Sequence, residues 1–279
     1  MKSKTAVIKK QKKWADKQQL ERDDRYSKYA NEIGDNLFKD SISREAEFEL
    51  KKADGSELTD GRYPAKIKAL YSSSALACNV FEYWRKREKR ILAKALNIKN
   101  PINSLRLEKV LNTGISKPNI DVFLVLSDGT SISIESKFCE WMDSKKDKKF
   151  KERYFLKGDK KLNRWYDAGL PNCQKIADKI QYGDLNFIRL NAPQLLKHAL
   201  GIANSLKKDS QLLYLYFVLE DQDSRVGNDH REEIKKFTDL IGNELRFKSM
   251  TYQDVFQTFQ KNVSLLDEEY VNYLKHRYF

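Results

Sequence analysis

The stretch Asp121-Val-Phe-Leu-Val-Leu-Ser-Asp-Gly-Thr-Ser-Ile-Ser-Ile-Glu-Ser-Lys-Phe138 decides how this chain is read. After its leading aspartate, residues 122–126 are β-branched or apolar, and Ser131 to Phe138 alternates polar with apolar at the period of two that marks a half-buried strand. Between them, Asp128-Gly129 is a hairpin turn signal. An antiparallel hairpin is therefore expected. A turn centred on Asp128-Gly129 puts Asp121 nearly opposite Ser136, flanked by Glu135 and Lys137. Alternation sends Glu135 and Lys137 to one face while Ile132, Ile134 and Phe138 enter a core.

Outward from the hairpin, Leu105 to Leu111 alternates as a further strand. Upstream, residues 72–96 lack Gly and Pro and keep Leu76, Val80, Trp84, Ile91 and Leu92 at helical spacing. Arg85, Lys86, Arg87, Lys89 and Arg90 occupy much of the other face. Downstream, 143–171 is charged and aromatic, with helix and loop not separable by pattern. Residues 172–182 and 191–208 are expected as helices, 212–219 as a buried strand, 230–241 as a helix and 245–250 as a strand. Helices follow over 251–260 and 265–277. The core succession α, β, β, β, α, β predicts an α/β (α+β) fold, a mixed central sheet flanked by helices. Around it, residues 1–62 are expected as a basic helical arm with a turn region, the 5–31 segment within it being polar, helix-prone and peripheral or partly mobile, 63–222 as the core, and 223–279 as a helical extension packed on it. No linker cuts the chain into separate domains.

The chain has 279 residues, 53 Lys and Arg against 40 Asp and Glu, and a net charge of +13. With 40% hydrophobic residues it can bury a sizeable core. The excess is clustered: residues 1–28, 85–99 and 137–164 each carry +6, and the remainder totals −5. Such clusters concentrate a polyanion and release its counterions, which makes nucleic acid the leading partner class. A single charged run is equally the solvated face of a helix. The longest apolar run, Leu212 to Leu219, is far short of the roughly 20 residues that span a bilayer, and the N-terminus lacks a secretory pattern. A cytoplasmic protein without a membrane partner is expected. Cys78, Cys139 and Cys173 are odd in number and form no Cys-x-x-Cys pair, so reduced thiols are expected rather than disulfides or a cysteine zinc site.

Asp121 and Glu135, one from each strand of the hairpin, can converge with Lys137 beside them. Two hard carboxylates suit Mg²⁺, which takes one or two carboxylates plus water and phosphate oxygens. The lysine can hold or help deprotonate a metal-bound water and offset charge on a phosphoryl oxygen. These are parts for phosphodiester hydrolysis. A bare Glu-x-Lys on a strand is also what an ordinary exposed cross-strand ion pair looks like. The three histidines, His198, His230 and His276, form no His-x-His or His-Glu-x-x-His pattern, so zinc hydrolase chemistry is not indicated. There is no phosphate-loop motif and no Gly-x-Ser-x-Gly elbow.

Pro118-Asn-Ile-Asp121, a strand, a turn, then Ile134-Glu-Ser-Lys137 resembles the PD-(D/E)XK nuclease superfamily, and more closely a restriction-endonuclease-like group within it. That group is similar in the stretch holding Ser73, Ser74, Leu76, Ala77, Asn79 and Phe81, and in Glu108 on the first strand. It is also similar in Glu135-Ser-Lys-Phe-Cys-Glu-Trp141, in Trp165-Tyr-Asp167 followed by Cys173-Gln174, and in Gln194-Leu-Leu-Lys-His-Ala-Leu-Gly201. The likeness covers about residues 70 to 220. Proline here stands three residues before Asp121 rather than directly before it.

The resemblance implies Asp121 and Glu135 as metal ligands, the Ser136 carbonyl as a backbone ligand, and Lys137 as the residue positioning the attacking water. Glu108 would bind a second metal or orient a ligand, though a surface glutamate on an alternating strand is as natural a reading. Gln194 would lie beside the site on its helix, with His198 four residues on along the same face; a lone histidine there is ordinarily structural. Glu82, Glu140 and Asn79 are further candidates. The resemblance thus implies a Mg²⁺-dependent DNA endonuclease of restriction or phage-defence type, with Mn²⁺ as substitute. Arg85, Lys86, Arg87, Lys89, Arg90, Lys145, Lys146, Lys148, Lys149, Lys160 and Lys161 are the expected nucleic-acid contacts. The aromatics Trp141, Phe150, Tyr154, Phe155, Trp165 and Tyr166 are interleaved with the second lysine group; Trp165 and Tyr166 are expected in the core. The alternatives are a catalytically inactive nucleic-acid-binding module, or a DNA-repair or RNA-cleaving nuclease of the same fold. A C2 homodimer is the arrangement expected of an enzyme cutting both strands of duplex DNA.

Overall fold

The computed structural model describes residues 3–40, 42–52, 57–144, 149–218, 224–262 and 264–279. Helices α1 (Ser3–Lys17), α2 (Arg44–Lys52), α3 (Ser73–Phe81) and α4 (Arg90–Ala95) precede the strands β1 (Ile102–Val110), β2 (Asn119–Leu126) and β3 (Ser131–Lys137). A small ribbon, β4 (Leu156–Lys157) with β5 (Lys160–Lys161), and α5 (Arg164–Asp167) lead into α6 (Pro171–Tyr182) and α7 (Ala192–Ser205). Then come β6 (Gln211–Tyr216), α8 (Arg225–Ile241), β7 (Arg246–Thr251), α9 (Tyr252–Asn262) and α10 (Glu268–Tyr278). The main sheet runs β1-β2-β3-β6-β7; β1, β2 and β3 are antiparallel, and β6 and β7 are added in parallel. This is the expected mixed α/β architecture, with helices flanking a five-stranded sheet.

The hairpin forms, but its loop is longer by one residue than an Asp-Gly pair alone would make it. Leu126 N–H donates to the Thr130 carbonyl, leaving Ser127, Asp128 and Gly129 as a three-residue loop with Gly129 at φ 79°. That is the three-residue hairpin that ends in a left-handed glycine. The register is consequently Val122↔Ile134 and Phe123↔Ser133, which places Asp121 opposite Glu135 rather than Ser136. The two carboxylates therefore meet on one face.

The helix expected over 72–96 is broken. Ser72 caps α3 by accepting from Ala75 N–H, but after a 3₁₀ turn at Glu82–Trp84 the chain leaves the helix until Arg90. Arg85 lies in the break. Its guanidinium, half-buried, holds Glu49 and Glu82 at 2.7 Å each and donates to the Leu105 carbonyl at 2.9 Å. Partners on α2 and β1 outweigh continuation of the local helix. The 5–31 segment is helical only to Lys17, and α1 is seated rather than peripheral: Val7, Gln11, Trp14 and Ala15 are buried. Gln11 donates to the carbonyl of Arg277 in α10. Arg277, fully buried, donates to the Asn36 carbonyl and side chain and lies 4.4 Å from the Trp14 ring centre. One hydrophobic cluster contains residues from Val7 to Tyr278.

On one side of β3, Ser136 meets Tyr252 of α9 hydroxyl to hydroxyl at 2.6 Å, and the Phe138 ring just beyond the strand meets Tyr278 of α10. On the other side lies α7, close to the sheet edge loop because Gly201 leaves room for Leu111. A Cβ at position 201 would stand 2.8 Å from the Leu111 Cβ. Gly201→Ala is therefore expected to destabilise by about 1–3 kcal/mol despite better helix propensity, read as a lower urea midpoint at unchanged m-value; an unchanged or raised midpoint would show that this contact relaxes freely.

Cys78, Cys139 and Cys173 are buried free thiols. Phe150, Tyr154, Phe155 and Trp165 pack on each other, with Trp165 fully buried and its indole N–H donating to the Leu196 carbonyl. Tyr166, expected in the core, is 63% exposed. No helix among the described residues is long and apolar enough to cross a membrane.

Candidate active site

The pairings Leu107↔Val122 and Lys109↔Ile120 on one side of β2, and Val122↔Ile134 on the other, set Glu108, Asp121 and Glu135 in one row across three neighbouring strands. Tyr214 of β6 continues the row beside Glu135. Glu108 has φ 48°, a left-handed conformation inside a strand that non-glycine residues seldom adopt. It costs on the order of 1–3 kcal/mol and collects at functional positions.

Glu135 is 1% exposed. One carboxylate oxygen is 2.7 Å from His198 Nε2, presented by α7, and the other is ion-paired with Lys137 Nζ. Burial opposes its ionisation, but the Lys137 charge and then His198 prevail and hold it down to about 2. For Lys137 burial likewise opposes the charge, and Glu135, Asp121 and Glu140 prevail, raising it above its ordinary value. These carboxylates thus favour the ammonium form of Lys137, a source of positive charge beside the row. Asp121 moves the other way: burial and then repulsion from Glu135 push it well above the usual carboxylate range, against the pull of Lys137 and of the Ser136 N–H at 2.6 Å. Glu108 is pushed up to about 8 by burial, then by Glu57 and Glu135.

The row therefore holds one firmly ionised carboxylate beside two that burial and mutual repulsion keep toward protonation, a state that an added cation reverses. Ser136 sends its N–H toward Asp121, and in an extended strand its carbonyl shares that side. Two carboxylates with a backbone carbonyl are the kind of donors Mg²⁺ accepts when water completes its shell. Among the described residues, no group of three or more His, Cys, Asp or Glu side chains is arranged to hold a metal ion by itself.

Other expected residues fall as follows. Gln194 stands in the first turn of α7 and accepts from the Asn191 side chain at 2.7 Å; no contact ties it to the carboxylates. Glu140 accepts from the Phe138 N–H at 2.8 Å and adds to the field at Lys137. Glu82 is engaged by Ser43 and Arg85, and Asn79 by Phe38, Asn36 and Tyr278, so both knit the fold. Glu57 was not foreseen. It lies in a turn-rich stretch with no motif, accepts from Ser74 at 2.6 Å, and is the charge that acts most strongly on Glu108.

Of the expected nucleic-acid contacts, Arg85 is taken up by Glu49 and Glu82, and Arg87 by Asp267 at 3.1 Å and the Tyr83 ring. Lys86 stands 3.8 Å from Glu45 and Arg90 3.8 Å from Glu88, while Lys89 donates to the Arg87 carbonyl. Lys149, Lys160 and Lys161 are exposed. Lys145, Lys146 and Lys148 lie outside the described residues.

A family model described as restriction endonuclease associating with ARP matches residues 1–279. No curated protein and no solved structure matches the chain.

Proposed function

We propose, from the premise that the chain belongs to the family described as restriction endonuclease associating with ARP, that it is a Mg²⁺-dependent DNA endonuclease of restriction or phage-defence type, built on a PD-(D/E)XK core. The observation that carries this reading is the juxtaposition of Asp121, Glu135 and Lys137 at one end of a three-strand antiparallel unit. Asp121, Glu135 and the Ser136 carbonyl would hold the metal, with Glu108 beside them. When bound, Mg²⁺ supplies Lewis-acid polarisation of the scissile phosphate and a water of lowered pKa.

The chain's own residues do the rest. Lys137 would offer positive charge beside an attacking water and a phosphoryl oxygen, stabilising charge as it develops. His198 orients Glu135 by holding one carboxylate oxygen, leaving the other to Lys137 or a metal. Burial of Glu135 excludes water from its far side. Mn²⁺ fits the same oxygen donors. The family's description adds association with ARP, so a complex with that partner belongs to the same proposal, as does a homodimer for double-strand cutting.

The test is cleavage by purified protein, with Mg²⁺ and with Mn²⁺, of linear, circular, methylated and single-stranded DNA and of RNA. Metal-dependent, EDTA-sensitive cutting of DNA is expected. Binding without cutting on every substrate would end the enzyme reading, and cutting of RNA alone would end the DNA assignment.

A further inference from the structure

The cations that the chain neutralises internally, Arg85 and Arg87, contrast with a second set that it does not. Along the sheet edge two clefts of about 690 and 550 Å³ meet and share Lys52 and Lys109. The first lies between α2 and β1 and includes Arg44, Phe48, Arg106 and Glu108; the second continues past Lys117 and Asn119. Lys52, Arg106, Lys109 and Lys117 form no salt bridge with any described residue. The cleft's acids are answered or belong to the site: Glu49 binds Arg85 and the Leu107 N–H, Glu45 faces Lys86, and Glu108 stands in the carboxylate row. Phe48 projects from α2 into this setting at 65% exposure, with Lys52 Nζ 6.0 Å from its ring centre. Lys109 Nζ also lies 5.9 Å from the Phe123 ring centre, so Lys52 and Lys109 touch rings but answer no carboxylate among the described residues; a large uncovered aromatic among such cations is the pairing that a nucleic acid strand uses, charge for phosphate and ring for base.

We propose that the α2–β1 cleft is the channel through which the DNA strand reaches the carboxylate row, with Arg106, Lys109 and Lys117 on its phosphates and Phe48 stacked against a base. The inference rests on the DNA-nuclease reading for its occupant. It relocates the binding surface from the two basic segments that the sequence emphasises to an edge strand whose cations are scattered in the sequence. The strand enters at Arg44 and Phe48 and passes Glu108, which lines the same cleft.

The test measures binding in EDTA, where no cutting occurs. Each phosphate contact contributes roughly 0.9 to the slope of log Kd against log salt. Arg106→Ala/Lys109→Ala is therefore expected to lower that slope by about 2 and to weaken binding roughly tenfold or more near 100 mM salt. Phe48→Trp supplies an independent reading. The four native tryptophans are at most 8% exposed, so the added indole is the solvent-facing one, and DNA is expected to quench it and shield it from acrylamide. An unchanged slope overturns the channel, as does wild-type protein that binds no DNA. A lowered slope with an unquenched indole overturns the stacking role of Phe48. The two readings separate cleanly: a protein that passes these tests yet never cuts retains the channel and loses the nuclease reading, whereas one that cuts with an unchanged slope does the reverse.

Discussion

Lys137→Ala is expected to reduce DNA cleavage by at least about 10²–10³-fold, the loss typical when one preorganised charge stabiliser is removed from a site, while DNA affinity stays within a few fold. The reason is geometric and electrostatic together. Lys137 is the cation that β3 delivers to the carboxylate row, and Glu135 and Asp121 keep it protonated. No neighbouring residue supplies a replacement charge from the same strand. Because the truncation also removes the partner of a buried glutamate, the comparison includes Asp121→Asn, which leaves the Glu135–Lys137 pair in place. Both variants are expected to bind DNA and fail to cut it, with circular dichroism confirming the fold. Cleavage within tenfold of wild type in both would show that the site lies elsewhere on the sheet.

The second large effect is on stability. Arg277→Ala is expected to destabilise the fold by roughly 3–5 kcal/mol, the scale for deleting a large buried side chain and orphaning its hydrogen-bond partners. Arg277 is fully buried, bonds the Asn36 carbonyl and side chain, and lies against the Trp14 and Tyr278 rings. No carboxylate pairs with it among the described residues, so its removal abandons no anion. The loss comes from packing, cation–π contact and the stranded Asn36 side-chain oxygen, the Asn36 carbonyl keeping its Asn79 donor. A guanidinium chloride titration reads it directly, and a loss below about 1 kcal/mol would show that α1 and α10 hold together without it.

What could be read in advance follows from where each determinant sits. The hairpin was legible because alternation over Ser131 to Phe138 and the Asp-Gly turn are local signals. The face shared by Glu135 and Lys137 follows from that alternation alone. Register was missed by one residue because it depends on whether the loop has two residues or three, and Leu126 N–H settles that through Thr130. The break after α3 was not legible at all. Arg85 leaves the helix for Glu49 and Leu105, partners separated from it by 36 and 20 positions. Glu57 and Phe48 carried no signal for the same reason: each matters through what the fold brings to it. The charge count pointed to a polyanion, yet the densest basic run proves to be largely engaged with the chain's own acids.

The strand that bears Glu135, Ser136 and Lys137 rests on residues encoded much later. Tyr252 of α9 meets Ser136, and Tyr278 of α10 meets Phe138 just beyond. During synthesis the carboxylates and lysine therefore emerge long before the floor beneath them. A nascent or truncated chain that stops short of α9 would carry every residue of the proposed chemistry on an unsupported strand, and a site that requires sub-ångström placement gains little from residues that are merely present. On the proposed reading, competence to cut would thus be a property of the finished fold, gained only once α9 and α10 are in place.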